Sequence, residues 1–91
     1  MTIIKMPTPL RLYTDGQTEI NVQGNTVGEA LKDLMSQHNE LEQHLYNDDG
    51  QLRAFVNIFV DGDDVRHLNG VDTQITPDSI LRIVPSVAGG F

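Results

Sequence analysis

The stretch that decides the fold is Ile80-Leu81-Arg82-Ile83-Val84-Pro85, which runs directly into Ser86-Val87-Ala88-Gly89-Gly90-Phe91. Its apolar and β-branched residues predict a last strand over residues 80–84. The tail behind it has almost no side chains, and two consecutive glycines let an extended backbone pass through a channel too narrow for other residues. The sequence therefore predicts one domain, residues 1–86, and a flexible tail, residues 87–91, at which chemistry takes place.

Upstream of this strand, the amino-terminal part predicts a β-hairpin. Residues 2–6 and 18–22 have the composition and alternation of half-buried strands. Residues 11–13 are expected to be extended as well, after Pro7-Thr8-Pro9, and Asp15-Gly16 supplies a turn.

One amphipathic helix follows the hairpin. Thr26-Val27-Gly28-Glu29 matches a capping box, in which the first and fourth residues satisfy free backbone N–H groups. Apolar residues then recur with helical spacing at Val27, Ala30, Leu31, Leu34 and Met35. The helix is expected to end near His38, and a short further helical turn is expected around Leu41 and Leu45.

A second hairpin precedes the last strand. Residues 54–60 are rich in β-branched and aromatic residues, Asp61-Gly62 is a tight-turn signal, and a short strand is expected near Val65. A terminal strand that ends a domain without a further helix can lie parallel to the first strand, in the middle of a mixed sheet. The sequence thus predicts an α+β fold, the ubiquitin-like β-grasp, with one main helix across one face of the sheet.

Composition excludes several classes of function. Thirteen Asp and Glu oppose six Lys and Arg, for a formal charge of -7, and no basic cluster interrupts the sequence. Neither nucleic acid nor a membrane is therefore an expected partner, whereas a basic protein surface is. The absence of cysteine excludes disulfides and thiolate metal sites. With no signal peptide and no apolar run of membrane-spanning length, the protein is expected to be cytoplasmic.

Catalytic and metal-binding patterns are not found in the sequence. His38, His44 and His67 lack close metal-ligand spacing, and no Ser, His and acid arrangement stands out. We expect no metal site, no bound cofactor and no catalysis by this chain alone.

Strand parity predicts a docking patch for a partner. Val56, Ile58, Val60, Leu81 and Ile83 are expected to face the helix. The side chains of Asn57, Phe59, Arg82 and Val84 then lie on the open face of the sheet. Because exposed apolar side chains on a small domain often mark a partner site, Phe59 and Val84 are expected at its centre, unless a loop covers them.

Residues 55–66 and 83–90 together resemble the bacterial sulfur carriers among the ubiquitin-like proteins, the MoaD/ThiS family. Within it the chain is most similar to the CysO-type carriers of cysteine biosynthesis. The resemblance extends over essentially the whole chain, and the ending Pro85-Ser86-Val87-Ala88-Gly89-Gly90 is its specific part.

The resemblance implies a reaction cycle at Gly90. An E1-like enzyme would adenylate the Gly90 carboxylate with ATP, and a sulfur donor would then displace AMP to give a thiocarboxylate. Val87, Ala88 and Gly89 would lie in the partner's channel. The implied partners also include a cysteine-synthase-like sulfur acceptor enzyme and a JAMM-type metalloprotease, so the chain itself is a protein co-substrate.

Phe91 departs from the family's pattern. Carriers that act directly end at the second glycine, whereas here an amide joins the Gly90 carbonyl to Phe91. An amide cannot be adenylated as a carboxylate can, so removal of Phe91 by a peptidase is expected. Three other functions remain open: a protein modifier joined to lysines through Gly90, a sulfur carrier for thiamin or molybdopterin, and an adaptor that never uses its terminus.

Overall fold

The computed structural model describes residues 1–54 and 56–85. Its strands and helices are β1 Thr2–Lys5, β2 Glu19–Val22, α1 Val27–Gln37, α2 Glu42–Leu45, β3 Val56–Val60, β4 Asp63–Asp64 and β5 Ile80–Pro85. Four short 3-10 helices connect them, at Thr8–Thr14, Asn39–Leu41, Val65–His67 and Gly70–Asp72. No helix of these described residues is both long and apolar enough to cross a membrane.

The five strands form one mixed sheet in the order β2-β1-β5-β3-β4. The last strand lies at its centre, parallel to β1 and antiparallel to β3. Leu81 of β5 is the register partner of Ile4 in β1 and of Val60 in β3, and all three side chains are buried. The predicted β-grasp fold is confirmed, because the carboxyl-terminal strand, and not a helix, completes the centre of the sheet.

Helix α1 packs across one face of the sheet. Its sequence provides an amino-terminal cap at Thr26 and an apolar side that is buried in the core. Thr26 Oγ1 accepts a hydrogen bond from the Glu29 N–H at 3.2 Å, as the capping box predicts. The Glu29 carboxylate reaches one residue further back, accepting from the Asn25 N–H at 2.8 Å. The apolar positions Val27, Ala30, Leu31 and Leu34 are buried in the core, and Met35 packs partly buried against it.

The first connection differs from the prediction. Residues 11–13, expected to be extended, belong to the 3-10 helix Thr8–Thr14, so the strands of the hairpin are β1 and β2 alone. Proline fixes φ near the helical value and needs no N–H partner, so Pro9 in the first turn favours the helix. The helix is held because it buries Leu10 and Thr14, and it ends at Asp15, whose φ is 56°.

The second hairpin follows the prediction at its turn and departs from it at its far end. Asp61 and Gly62 have φ angles of 50° and 95°, as a two-residue turn with positive φ requires. The second strand, β4, is two residues long and stops before Val65. Val65 instead begins a 3-10 helix, because the Asp64 carboxylate accepts from the Arg66 N–H at 2.8 Å and so caps that helix.

Candidate functional site

The predicted docking patch lies on the open face of the sheet, opposite α1. Phe59 pairs in register with Arg82, and Asn57 with Val84, so the four side chains form a block across β3 and β5. Arg82 and Val84 are exposed, whereas Asn57 and Phe59 are half-buried. Their neighbours along the two strands, Val56, Ile58, Val60, Leu81 and Ile83, are buried in the core.

A shallow cleft of about 720 Å³ runs along this block. Its apolar lining comes from Phe59 and from two exposed residues of β5, Ile80 at 41% and Val84 at 36%. Sequence reasoning missed Ile80, although the alternation that places Val84 on this face places Ile80 there too. The result is a surface on which these three apolar side chains lie beside the charged residues Lys5, Asp61 and Arg82.

A hydrogen-bond network holds the end of β5 against β3. Asn57 Nδ2 donates to the Val84 carbonyl at 3.2 Å, and Asn57 Oδ1 accepts from Arg66 Nη1 at 2.7 Å. Arg66 Nη2 donates in turn to the carbonyls of Ala54 and Val56, at 2.7 and 3.0 Å. Asn57 therefore positions the strand from which the tail leaves, as well as being part of the patch surface.

Arg66 is a second residue that sequence reasoning missed. Its position beside Asn57 is a consequence of the 3-10 helix after β4, which turns the chain back towards β3. The only signal in the sequence is that Arg66 lies within the segment that carries the family resemblance.

A second cleft, of about 450 Å³, lies where β5 ends. It is lined by the basic side chains Lys5, Arg11 and Arg82, by residues 6–9 of the first connection and by residues 83–85 of the last strand. It shares Lys5, Arg82 and Val84 with the first cleft. The surface beside the last described residue, Pro85, is therefore both apolar and basic.

The predicted tail residues Val87, Ala88, Gly89, Gly90 and Phe91 lie outside the described residues. The described part of the chain ends at Pro85, the last residue of the central strand. In the sequence, Ser86, Val87, Ala88 and Gly89 lie between Pro85 and Gly90.

Titratable groups elsewhere on the helix side of the molecule show ordinary packing roles. Burial, and secondarily the nearby Glu42 carboxylate, raises the pKa of the Tyr46 phenol. The ring of His44 stacks on Tyr13 with a centroid distance of 4.2 Å, and its Nε2 atom is buried without a hydrogen-bond partner among the described residues. Within the same residues, no group of three or more His, Asp or Glu side chains could hold a metal ion.

Comparison with known proteins agrees with this geometry. Residues 4–90 match the model of the ThiS family. The sulfur carrier protein CysO of Mycobacterium tuberculosis is 36% identical over 89 residues, which cover 96% of both chains.

Solved structures show the same relationship. The crystal structure of the Amycolatopsis orientalis BexX/CysO complex contains a chain that matches with a TM-score of 0.89 and 32% identity, over 99% of this chain and 100% of that one. The small archaeal modifier protein 1 of Methanosarcina acetivorans matches with a TM-score of 0.88 and 25% identity, over 98% of this chain and 95% of that one. From the family match over nearly its whole length, and from the central carboxyl-terminal strand that leads to Gly89-Gly90, we conclude that the chain belongs to the ThiS family.

Proposed function

We propose that this protein is a sulfur carrier that holds sulfur as a thiocarboxylate on Gly90. In the first step, the Gly90 carboxylate attacks the α-phosphorus of ATP and pyrophosphate leaves. In the second, sulfide attacks the acyl adenylate, AMP leaves and the thiocarboxylate forms directly. An enzyme persulfide that attacks instead gives an acyl disulfide, and a second thiol of that enzyme then cleaves it, leaving a disulfide on the enzyme and the thiocarboxylate on Gly90. The thiocarboxylate then donates its sulfur in the synthesis of cysteine or a related sulfur metabolite.

The observation that carries the proposal is the family match, which extends through Gly90 and so includes the diglycine. The amino-acid composition also favours Gly90 as the site that carries the sulfur. Without cysteine, the chain offers no thiol on which sulfur could be carried as a persulfide. Once Phe91 is removed, Gly90 offers a terminal carboxylate for adenylation, and Gly89 leaves room for a partner's active site to reach it.

Catalysis in this proposal belongs to partner enzymes. In the Amycolatopsis orientalis BexX/CysO complex, a similar CysO chain is bound to another protein. For this chain we propose an E1-like enzyme that uses ATP, a cysteine-synthase-like enzyme that accepts the sulfur, and a JAMM-type metalloprotease that cuts after Gly90 to remove Phe91. Because the cycle consumes ATP, we place it in the cytoplasm.

The direct test is the intact mass of the chain that ends at Gly90. This chain is incubated with ATP, a sulfide source and the E1-like activating enzyme of the same organism. Its mass is expected to increase by the difference between one sulfur and one oxygen atom. Omission of ATP is the control and should leave the mass unchanged. No gain, with an enzyme shown to be active on another carrier, contradicts the proposal.

A second function, a protein modifier, is favoured by the similarity to the small archaeal modifier protein 1. It uses the same adenylation but ends in an isopeptide bond between Gly90 and a lysine of a target. Trypsin cleaves after Arg82, the last basic residue of the chain, so tryptic digests of conjugates then contain target lysines that carry residues 83–90. Such conjugates, without a sulfur-bearing form of the free chain, would favour the modifier over the carrier.

A further inference from the structure

The pairing of the central strands places two cations side by side on the open face. Lys5 of β1 is the register partner of Arg82 of β5, and the strands are parallel neighbours. Side chains at directly opposite positions are close enough to interact, and like charges there destabilise a sheet. The fold therefore gains nothing from having a positive charge at both positions.

Neighbouring carboxylates relieve this repulsion only in part. Within the described residues the one ion pair joins Lys5 Nζ to Glu19 Oε2 at 4.0 Å, and both side chains are substantially exposed. An exposed pair at that distance contributes little. Arg82 has Phe59, not an acid, on its other side, so its charge is not paired within the described part of the fold.

A third cation completes the cluster. Arg11 comes from the 3-10 helix after β1, and its Nε donates to the Met6 carbonyl at 3.2 Å. With Lys5 and Arg82 it lines the cleft of about 450 Å³ at the end of β5. Three of the chain's six basic residues thus meet at one cleft, and none of the described residues that line it is acidic.

The other three basic residues lie elsewhere. Lys32 is exposed on α1. Arg53 donates to the Gln43 carbonyl, and Arg66 to the carbonyls of Ala54 and Val56. Against the thirteen acidic residues of the chain, the cleft at the end of β5 is therefore a basic region on an acidic molecule.

We propose that this basic cleft docks an acidic surface of the activating enzyme, one with apolar side chains that pack on Pro7, Pro9 and Val84. The inference rests on the proposed function, because it assigns the cleft to the enzyme that receives the tail. Away from the cleft the chain has three basic residues against thirteen acidic ones, so the rest of the molecule on balance repels such a surface. Approach is favoured in the orientation in which the tail faces the enzyme, so the cleft steers Gly90 to the adenylation site.

The first test reverses charge at the cleft and, as a matched control, on α1. Arg82→Glu, Lys5→Glu and Lys32→Glu each change the net charge by the same amount, in the chain that ends at Gly90. ATP-pyrophosphate exchange is measured with the activating enzyme. Arg82→Glu and Lys5→Glu are expected to lower kcat/KM about tenfold at low salt, mainly through KM, with the loss shrinking as salt rises. Lys32→Glu should stay close to the unmodified chain.

The melting temperature of the variant distinguishes a docking role of Arg82 from a role in stabilising the fold. Arg82→Glu replaces a like-charge pair with an opposite-charge pair next to Lys5, so its Tm is expected to hold or rise while its activation falls. Equal losses for Arg82→Glu and Lys32→Glu would reduce the effect to net charge and overturn the proposal. So would a loss that salt does not diminish.

A titration without the enzyme keeps this inference separate from the proposed function. Hexaglutamate added to the isotope-labelled chain at low salt is expected to shift the amide resonances of the non-proline residues in the ranges 5–11 and 80–84, and Arg82→Glu should abolish those shifts. Absence of pyrophosphate exchange in the unmodified chain counts against the carrier function alone. Shifts that are absent, or spread evenly over the surface, overturn the basic docking cleft.

Discussion

At the scale of single residues, neighbouring side chains of β3 lie on opposite faces of the sheet and contribute to different properties. Ile58 is 1% exposed and belongs to the core, whereas Phe59, the next residue, is half-buried on the open face. Because successive side chains of a strand point to opposite faces, one position separates a stability residue from a candidate docking residue. Substitutions at the two positions should therefore affect different measurements.

We expect Phe59→Ala and Val84→Asp to weaken binding to the activating enzyme while the domain remains folded, since both side chains lie on the open face. Ile58→Ala is the matched control and should instead cost about 2–5 kcal/mol of unfolding free energy, through lost burial and a cavity. Denaturant titrations and a binding titration separate the two effects. Unchanged affinity in both folded patch variants would remove this surface assignment.

Tyr46 should make stability depend on alkaline pH. Its pKa is raised above the ordinary value of 10.0 by burial and by Glu42, so above that value the unfolded chain releases the phenolic proton while the folded chain still holds it. The stabilising contribution is complete below pH 10.0 and is lost as pH rises through the folded pKa. Tyr46→Phe should lessen the loss of stability above pH 10.0. Equal pH profiles for both proteins would contradict this.

At the scale of elements, β5 is the most constrained strand of the sheet. It has β1 on one side and β3 on the other, and its carboxyl end is additionally tied through Asn57 and Arg66. A chain that must enter a narrow channel loses backbone freedom, at a cost of about 1–2 kcal/mol per residue. The residues of β5 through Pro85 are already held in the sheet and do not pay this cost.

Arg66→Met should loosen the carboxyl end of β5. It removes the donor that serves Asn57 Oδ1 and the carbonyls of Ala54 and Val56. Hydrogen bonds to a charged donor contribute about 1.5–3 kcal/mol when buried, and these are partly exposed, so a loss of about 1–2 kcal/mol is expected. Amide hydrogen exchange should also speed up at residues 82–84. Arg53→Met, which removes bonds to the single carbonyl of Gln43, is the control and should leave that exchange unchanged.

At the scale of the whole molecule, charge and topology act together. The net charge of -7 predicts a basic partner, but the folded chain gathers Lys5, Arg11 and Arg82 beside the strand that leads to Gly90. The overall charge and the local charge at the end of β5 therefore favour opposite kinds of surface. A molecule with such an asymmetry is oriented by the field of its partner before contact.

The complete reaction should depend on whether Gly90 is the last residue. We expect the chain with Phe91 attached to be inert in ATP-pyrophosphate exchange and the chain ending at Gly90 to be active at once. The Gly90 carbonyl is an amide in the first and a carboxylate in the second, and the bulky Phe91 ring does not fit a channel of glycine width. Both chains are assayed without peptidase. Equal exchange rates would show that Phe91 is no block.

Local patterns were sufficient for much of the fold. The capping box at Thr26, the Asp61-Gly62 turn and the alternation along β3 and β5 each depend on a few neighbouring residues, and each predicted element is present. The position of the last strand also agreed with the prediction, since a domain that ends in a strand can place it in the centre of a mixed sheet. The role of the diglycine tail remains a prediction.

By itself, the sequence determined the order of the main strands and of the long helix, the buried faces of β3 and β5, and the acidic charge, because periods of 2 and 3.6 residues and the composition do not depend on the tertiary path of the chain. Only the tertiary structure decided that residues 11–13 are helical, that Arg66 reaches Asn57, and that Lys5 lies beside Arg82. The first depends on burying Leu10 and Thr14. The other two depend on the path of the chain after β4 and on the register between strands far apart in sequence, which no short stretch of residues specifies.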